Sequence, residues 1–444
     1  MVSGRSRGRL RTILHIDFNS YFATVEQQAN PRLRGKPTGV TGGDRIKRTV
    51  LGAASIEAKK FGVKTGMQIW EAKKLCPQII LVPGDSDKYL EVTKRFLGIL
   101  SSYSPVLEVF SIDEVFMELS SLHLRGEVMG NLMYTSEVCE NLALQIKSRI
   151  RSEIGEWMRV SIGISYNKLM AKLASNLQKP DGLVIIPNQE EAIKILENQD
   201  LDEICGIGSR IKYRLNKMGI FNFRQLRQVP LEILLFNFKS YGNFLYNAAR
   251  GIDNSLITPF YEKEEVKSVG HRYTLVHDTN SPAEIKQVLL KLTELVSRRL
   301  RAKNLVGKTI SCWFRYGFAH PRGEVVNLPN AHLGGEFQGN GMQTTIHHTD
   351  DGLEIFKASW KIFNEMWDKS AIRMIGISIS NLTPQTPKNL SFLDEIKRRE
   401  VITKALDKIN DKYGEFTLKR AVLLGTPTIR RMPNPFLADR RFKL

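Results

Sequence analysis

Three acidic residues stand where an apolar strand pattern asks for core residues, and they constrain this chain more than any other feature. Asp17 interrupts the run Ile13-Leu-His-Ile-Asp-Phe18, and Asp113 and Glu114 interrupt Val109-Phe-Ser-Ile-Asp-Glu-Val-Phe-Met117. A buried carboxylate is costly unless it is paired or bound to a cation. Neighbours on a regular strand point to opposite faces, so Asp113 and Glu114 reach one site only at a tight turn between two strands. Three carboxylates on adjacent strand ends would line an oxygen-rich cleft that suits Mg²⁺ and not zinc. A lone Asp at a strand end is more often a cap or turn residue. The three together favour a metal site.

The surrounding pattern reads as an α+β domain. A buried strand covers 11–18, and helical signals cover Ile56–Phe61 and Ile69–Leu75, with Pro77 as a stop. An amphipathic helix at 86–102 presents Tyr89, Val92, Phe96 and Ile99 on one face. Strands near 107–112 and 115–119, a helix at 134–154 and a strand at 158–165 complete a β-α-β-β-α-β order like the ferredoxin split βαβ unit. A helix at 167–178 ends in the turn signature Lys179-Pro-Asp-Gly182, and a helical region covers 188–250. After a polar linker, strands at 266–276, 306–316, 342–348 and 373–381 alternate with helices at 282–303 and 352–368, interrupted by a Gly-rich loop at 317–341. A last helix is expected at 392–411.

Charge narrows the partner. Of the 444 residues, 65 are Lys or Arg and 46 Asp or Glu, a net +19. Residues 251–444 hold 30 basic and 21 acidic residues against 35 and 25 before them, so the surplus belongs to no single tail. A polyanion contacted by several domains, nucleic acid first, is the natural partner. No stretch has the length of a membrane span, and the N-terminal arginines precede no apolar core, so neither a membrane nor a secretory signal is expected. Cys76, Cys139, Cys205 and Cys312 lie far apart and support no disulfide framework, which fits a reducing cytoplasm.

Basic residues accompany the acidic ones. Lys168 opens a helix directly after a strand, where a phosphate would meet both a helix N-terminus and a cation. Lys59 and Lys60 lie on the helix that begins near Ser55. From Leu201 to Ile220 the chain reads as helix, Gly206-Ile-Gly208 turn, helix. Such a turn exposes backbone N–H groups that bind DNA phosphate without reading sequence. Gly-x-Gly alone is a weak signal; Arg210, Lys212, Arg214 and Lys217 strengthen it.

These pieces, in this order, resemble a Y-family DNA polymerase, nearest the bacterial polymerase IV branch. The resemblance is carried by His15-Ile-Asp-Phe-Asn-Ser-Tyr-Phe-Ala23, Glu57-Ala-Lys-Lys-Phe-Gly-Val63, Ser111-Ile-Asp-Glu114, Gly163-Ile-Ser-Tyr-Asn-Lys-Leu-Met-Ala-Lys172 and Lys267-Ser-Val-Gly-His271. It covers about residues 11–385, with a looser match at 390–425. It implies an α+β right hand. A ferredoxin-like palm would comprise 11–19 and 87–178, small fingers 20–86, and a helical thumb with its helix-hairpin-helix 179–250. A linker (251–265), an α+β little finger (266–385) and a C-terminal tail (386–444) would follow.

The same resemblance implies two Mg²⁺ ions held by Asp17, Asp113 and Glu114 with the Phe18 carbonyl. It implies Phe22 as a steric gate against a ribose 2′-OH, with Tyr21, Lys59 and Lys168 also at the nucleotide and Lys168 on the γ-phosphate. DNA contacts fall on Gly206, Gly208, Arg210, Lys212, Ser111 and Lys267. Three positions depart from the family pattern: Ile56 stands for a tyrosine, Lys59 for an arginine and Ala53 for a threonine. Each loses a donor to triphosphate oxygens, so weakened nucleotide binding is expected, offset in part by Lys60 or Arg45. The implied function is addition of dNTPs to a primer 3′ end on a template, across damaged bases, by a monomer in the cytoplasm. Asn389-Leu-Ser-Phe-Leu393 resembles a sliding-clamp peptide without its leading Gln. The rival readings are a catalytically weak or inactive DNA-binding accessory protein on a polymerase scaffold, and a nuclease using the same metals.

Overall fold

The computed structural model describes residues 11–42, 50–119, 136–262, 265–317, 339–385, 394–414 and 416–425. Most of the loop 317–341, Arg45 and the segment 389–393 lie outside the described residues. The chain divides into two compact units between residues 263 and 264.

The first unit begins with β1 (Ile13–Phe18), α1 (Tyr21–Ala29), β2 (Thr38–Thr41), β3 (Leu51–Ala54), α2 (Ile56–Lys59), α3 (Ile69–Leu75) and β4 (Ile80–Pro83). Strands β2 to β4 form a small sheet in the order β3-β2-β4. It closes over its own apolar cluster of Leu51, Ala54, Ala58, Val63, Ile69 and Ile79. Ser55 caps α2 by accepting from the Ala58 N–H, which sets Lys59 one turn beyond the strand.

Next come α4 (Ser86–Ser101), β5 (Leu107–Val109), β6 (Glu114–Glu118), α5 (Ser136–Glu153), β7 (Val160–Ser165), α6 (Lys168–Leu177) and β8 (Leu183–Ile186). The main sheet runs β5-β6-β1-β7-β8, with β1 central and antiparallel to both neighbours. Alternation along β1 sorts its residues. Leu14, Ile16 and Phe18 join the cluster under α4 and α5, whereas Ile13 packs on the other side with Ala171 of α6. His15 and Asp17 therefore share the α6 face. On β6, Val115 and Met117 enter the α4/α5 core, which turns Glu114 and Phe116 the same way as Asp17.

The strand β8 was not anticipated. Its four residues follow a Pro-Asp-Gly turn, too short a run to separate from the helical region after it, yet they pair in parallel with β7. The sheet thus extends beyond 178, to Ile186.

Helices α7 (Gln189–Glu197), α8 (Ser209–Lys217), α9 (Phe223–Gln228), α10 (Leu231–Phe238) and α11 (Tyr241–Ala248) complete the unit around Leu196, Leu215, Phe223, Leu226, Leu234 and Leu245. The first arm of the expected helix-turn-helix is a 3₁₀ turn, Leu201–Glu203, because only three residues separate Asp200 from the chain's turn into Gly206.

The second unit holds β9 (Ser268–Thr279), α12 (Pro282–Ala302), β10 (Leu305–Tyr316), β11 (Gly339–Thr349), α13 (Gly352–Met366), β12 (Ile372–Pro384) and α14 (Asp394–Tyr413). Its sheet runs β11-β10-β12-β9, antiparallel throughout. Ile310, Cys312 and Phe314 of β10 face α12 and α13, leaving Ser311, Trp313 and Arg315 on the open face. The tail folds back on the helical layer. Arg301 forks onto Asp407 at 2.6 and 2.9 Å, Arg420 Nε donates to Glu294 at 2.7 Å, and Leu423 is buried.

One contact fixes how closely α6 approaches the sheet. A Cβ on Gly163 would lie 2.1 Å from the Ala171 carbonyl oxygen and 2.3 Å from the Ser175 nitrogen, both backbone atoms that cannot swing away. Gly163→Ala is expected to destabilise the protein by at least roughly 1–3 kcal/mol, read as a lower urea midpoint. An unchanged midpoint would mean that α6 adjusts freely.

Candidate active site

Register brings the acids together. Asp17 pairs with Glu114 across β1 and β6, and the Phe18 N–H donates to the Asp113 carbonyl at 3.0 Å. Between β5 and β6 the chain turns tightly, with the Phe110 and Ser111 N–H groups both donating to the Glu114 carbonyl. This turn lets two sequence neighbours serve one cleft. Ligand atoms of His15, Asp17 and Glu114 all lie within 4.8 Å of one another. Asp113 joins them electrostatically, since Asp17 is its strongest charged neighbour.

The four side chains differ in their partners. Burial, then the Asp17 charge, raises the Asp113 carboxyl to about 7, against the pull of the Ser111 hydroxyl, which donates to Oδ1 at 2.6 Å. Burial would also raise Glu114, but the His15 N–H and then Lys172 outweigh it and bring Glu114 down to about 2. His15 Nε2 lies 3.1 Å from Glu114 Oε2, and Nδ1 lies 2.7 Å from Ser175 Oγ. Burial lowers His15. In the neutral ring, Nε2–H donates to Glu114, and the Ser175 hydroxyl beside Nδ1 donates to the Lys172 carbonyl at 2.8 Å. The Lys172 ammonium also binds Glu114 Oε2.

Lys179 Nζ donates to Asp17 Oδ1 at 2.8 Å. It stands in a turn pinned to the sheet. The Asp181 N–H donates to Asn19 Oδ1 at 2.7 Å, the Gly182 N–H to Ser161 Oγ at 3.3 Å, and Lys147 Nζ to the Asp181 and Gly182 carbonyls. Lys59 lies close enough that partial desolvation, then Lys179, lowers its ammonium, while Asp17 and Asp113 pull the other way.

The structure moves several expected contacts elsewhere. Lys168 does not join the carboxylates: Glu108 of β5 holds its ammonium through both oxygens at 2.7 Å, over the Phe116 ring. Tyr21 is buried, its hydroxyl donating to the Tyr89 carbonyl at 2.7 Å beside Thr93, and is a core residue. The Ser111 hydroxyl donates to Asp113 Oδ1. Lys212 pairs with Asp202 at 2.6 Å, and Arg214 lies over the Phe238 ring while donating to the Asn237 carbonyl. Phe22, on the first turn of α1, is buried in the larger core cluster. Gly208 begins α8 with no side-chain cap and open space around its Cα. Gly206 has φ +106° and closes on Phe244 and Tyr241. Arg210 and Lys267 are exposed.

Sequence reasoning missed His15, Lys172, Ser175 and Lys179. The first two lay inside motifs already singled out, and Lys179 opened a signature read only as a turn.

The donors fit a hard divalent cation. All three acids offer oxygen, both His15 nitrogens are engaged within the protein, and the crowding that raises Asp113 is the strain a cation relieves. Clustered carboxylates on the central strands of such a sheet, followed by a helical module with an exposed Gly-x-Gly turn, define the palm-and-thumb class of nucleic-acid enzyme. Residues 16–176 match the impB/mucB/samB family, 202–253 the thumb domain of DNA polymerase iota, and 266–392 the impB/mucB/samB C-terminal domain. A DNA polymerase IV of Moorella thermoacetica is 34% identical over 93% of this chain and 96% of its own. That of Pelotomaculum thermopropionicum is 34% identical over 93% and 95%. A solved Y-family DNA polymerase chimera of Dbh and Dpo4 superposes with a TM-score of 0.66 at 26% identity, covering 83% of this chain and 98% of that one. The chain belongs to the Y-family of DNA polymerases.

Burial of Asp113, and after it the like charge of Asp17, is a liability in metal-free protein. Folding raises the Asp113 pKa from 3.8 to about 7. The folded state then binds more protons than the unfolded one in this window, so this group's contribution to stability falls as pH rises through it. Asp113→Asn is expected to raise the melting temperature of metal-free protein at pH 8, to change it little at pH 5, and to weaken stabilisation by added Mg²⁺. Equal shifts at both pH values would show that the Asp113 carboxyl is not raised.

Proposed function

We propose that this chain catalyses template-directed addition of dNTPs to a primer 3′ end, as a translesion-type DNA polymerase acting as a monomer in the cytoplasm. The observation that carries the reading is the meeting of Asp17 and Glu114 at one end of the β1–β6 pair, with Asp113 in the turn directly before Glu114. These three, with the Phe18 carbonyl, are proposed to hold two Mg²⁺ ions. When bound, the ions supply Lewis-acid activation of the primer hydroxyl and neutralise charge on the departing pyrophosphate.

The protein's own groups prepare the site. Ser111 orients Asp113, and His15 with Lys172 orients Glu114. Lys179 is proposed as the triphosphate cation in place of Lys168, because its ammonium already reaches the carboxylates and its turn is anchored on both sides. Lys59, beside it, adds a second positive charge without the fork of an arginine. Ile56 and Ala53 add no donor, so charge on the phosphates rests on two flexible ammonium groups. Phe22 is proposed as the gate against ribonucleotides. The uncapped start of α8, with Arg210, is proposed to hold a DNA phosphate, and Lys267 a further DNA contact. The sliding clamp is a proposed partner through the segment 389–393.

Primer extension with Mg²⁺ tests the central claim. Lengthening that copies the template supports it. No extension at saturating dNTP would return the accessory-protein reading, and a shortened primer would indicate a nuclease. Lys179→Ala is expected to raise the apparent KM for dNTP by about tenfold or more, a charge-assisted contact being lost. Lys168→Ala should leave that KM near wild type. The reverse result would restore Lys168 to the triphosphate.

A further inference from the structure

A buried carboxylate that the reaction does not use lies behind the proposed gate. Glu26 is only 5% exposed and sits on α1 four residues after Phe22, so both side chains leave the same face of the helix. Its two oxygens hold neighbouring residues of α4. Tyr89 Oη–H donates to Oε1 at 2.8 Å, and Lys88 Nζ donates to Oε2 at 2.8 Å. The Tyr89 ring, 3% exposed, stacks on the Phe22 ring with centroids 4.4 Å apart and planes 23° from parallel.

A gate excludes a 2′-OH only if its ring cannot yield. A phenylalanine on the first turn of a helix has other rotamers, so something behind it must block them. Tyr89 is that backing, and it is fixed at both ends. Its backbone carbonyl accepts from the Tyr21 hydroxyl at 2.7 Å, and its own hydroxyl is tied to Glu26. Burial and the Glu26 charge both raise the Tyr89 hydroxyl above its ordinary range, which keeps it a donor. Glu26 in turn is held in orientation because Lys88 closes on its second oxygen.

We propose that Glu26 is a positioning residue that, through Tyr89, immobilises the Phe22 ring and so sets the discrimination between deoxyribo- and ribonucleotides. The inference rests on the reading of Phe22 as the gate. Glu26 touches no reacting atom, so its effect falls on selectivity between sugars and not on the chemistry common to both.

The test is single-nucleotide incorporation of a dNTP and the matching rNTP by full-length wild type, Phe22→Ala, Tyr89→Phe, Glu26→Ala and Glu26→Gln. Tyr89→Phe keeps the stacked ring and loses only the tie to Glu26. Tyr89→Phe and Glu26→Ala are expected to lower the ratio of dNTP to rNTP kcat/KM by about tenfold, the scale of one lost charged hydrogen bond. Glu26→Gln still accepts from the Tyr89 hydroxyl and should keep most of the wild-type ratio. A purely structural role would depress both sugars in parallel and leave the ratio unchanged, and that result in Tyr89→Phe would overturn the inference. Should Glu26→Ala fail to fold, Tyr89→Phe and Glu26→Gln still decide it. If Phe22→Ala leaves the ratio untouched, the gate reading itself fails. If Phe22→Ala relaxes it while the other variants do not, only the role of Glu26 fails.

Discussion

The antiparallel pairing of β1 with β6 is the interaction on which the rest depends. It sets Asp17 opposite Glu114, and the Phe18 N–H fixes the turn that carries Asp113. A slip of one residue would send every side chain of β1 to the other face, placing Asp17 under α4 and Phe18 in the cleft. Leu14, Ile16 and Phe18 prevent that slip by burying their side chains in the larger core. The acidic site is thus held by apolar residues that never touch it.

Such a concentration of negative charge needs an answer before any cation arrives. Lys172, midway along α6, and Lys179, in the turn after it, provide it, one on Glu114 and the other on Asp17. The first is set by the close approach of α6 at Gly163. The second is set by the Lys147-anchored turn after α6. Removing one partner of such an enclosed pair leaves an uncompensated charge, which costs far more than the pair contributes.

Much of this was legible from the sequence, for physical reasons. Asp17, Asp113 and Glu114 broke a period-two apolar pattern, and a broken pattern is visible without a structure. The alternation of helices and strands that gave both α+β units was equally plain. The lysine proposed for the triphosphate was not. Lys168 has the better local argument, a strand followed directly by a helix start, but Glu108 arrives from another strand to claim it. Lys179 has only a turn to recommend it, and the reach of that turn depends on Asn19 and Ser161, far away in the chain. β8 was lost because four residues carry too little pattern. The docking of α14 was lost because its anchors, Asp407 and Asp411, look like ordinary solvated acids until Arg301 and Arg298 meet them.

That docking gives the second unit a polarity. Arg298, Arg301 and Arg420 all lie on the helical side and are matched there by Asp411, Asp407 and Glu294. Arg272 and Arg315 project from the opposite side, across the open sheet. The two faces of this unit therefore use their arginines differently, knitting the tail to the helices on one side and lying over the sheet on the other.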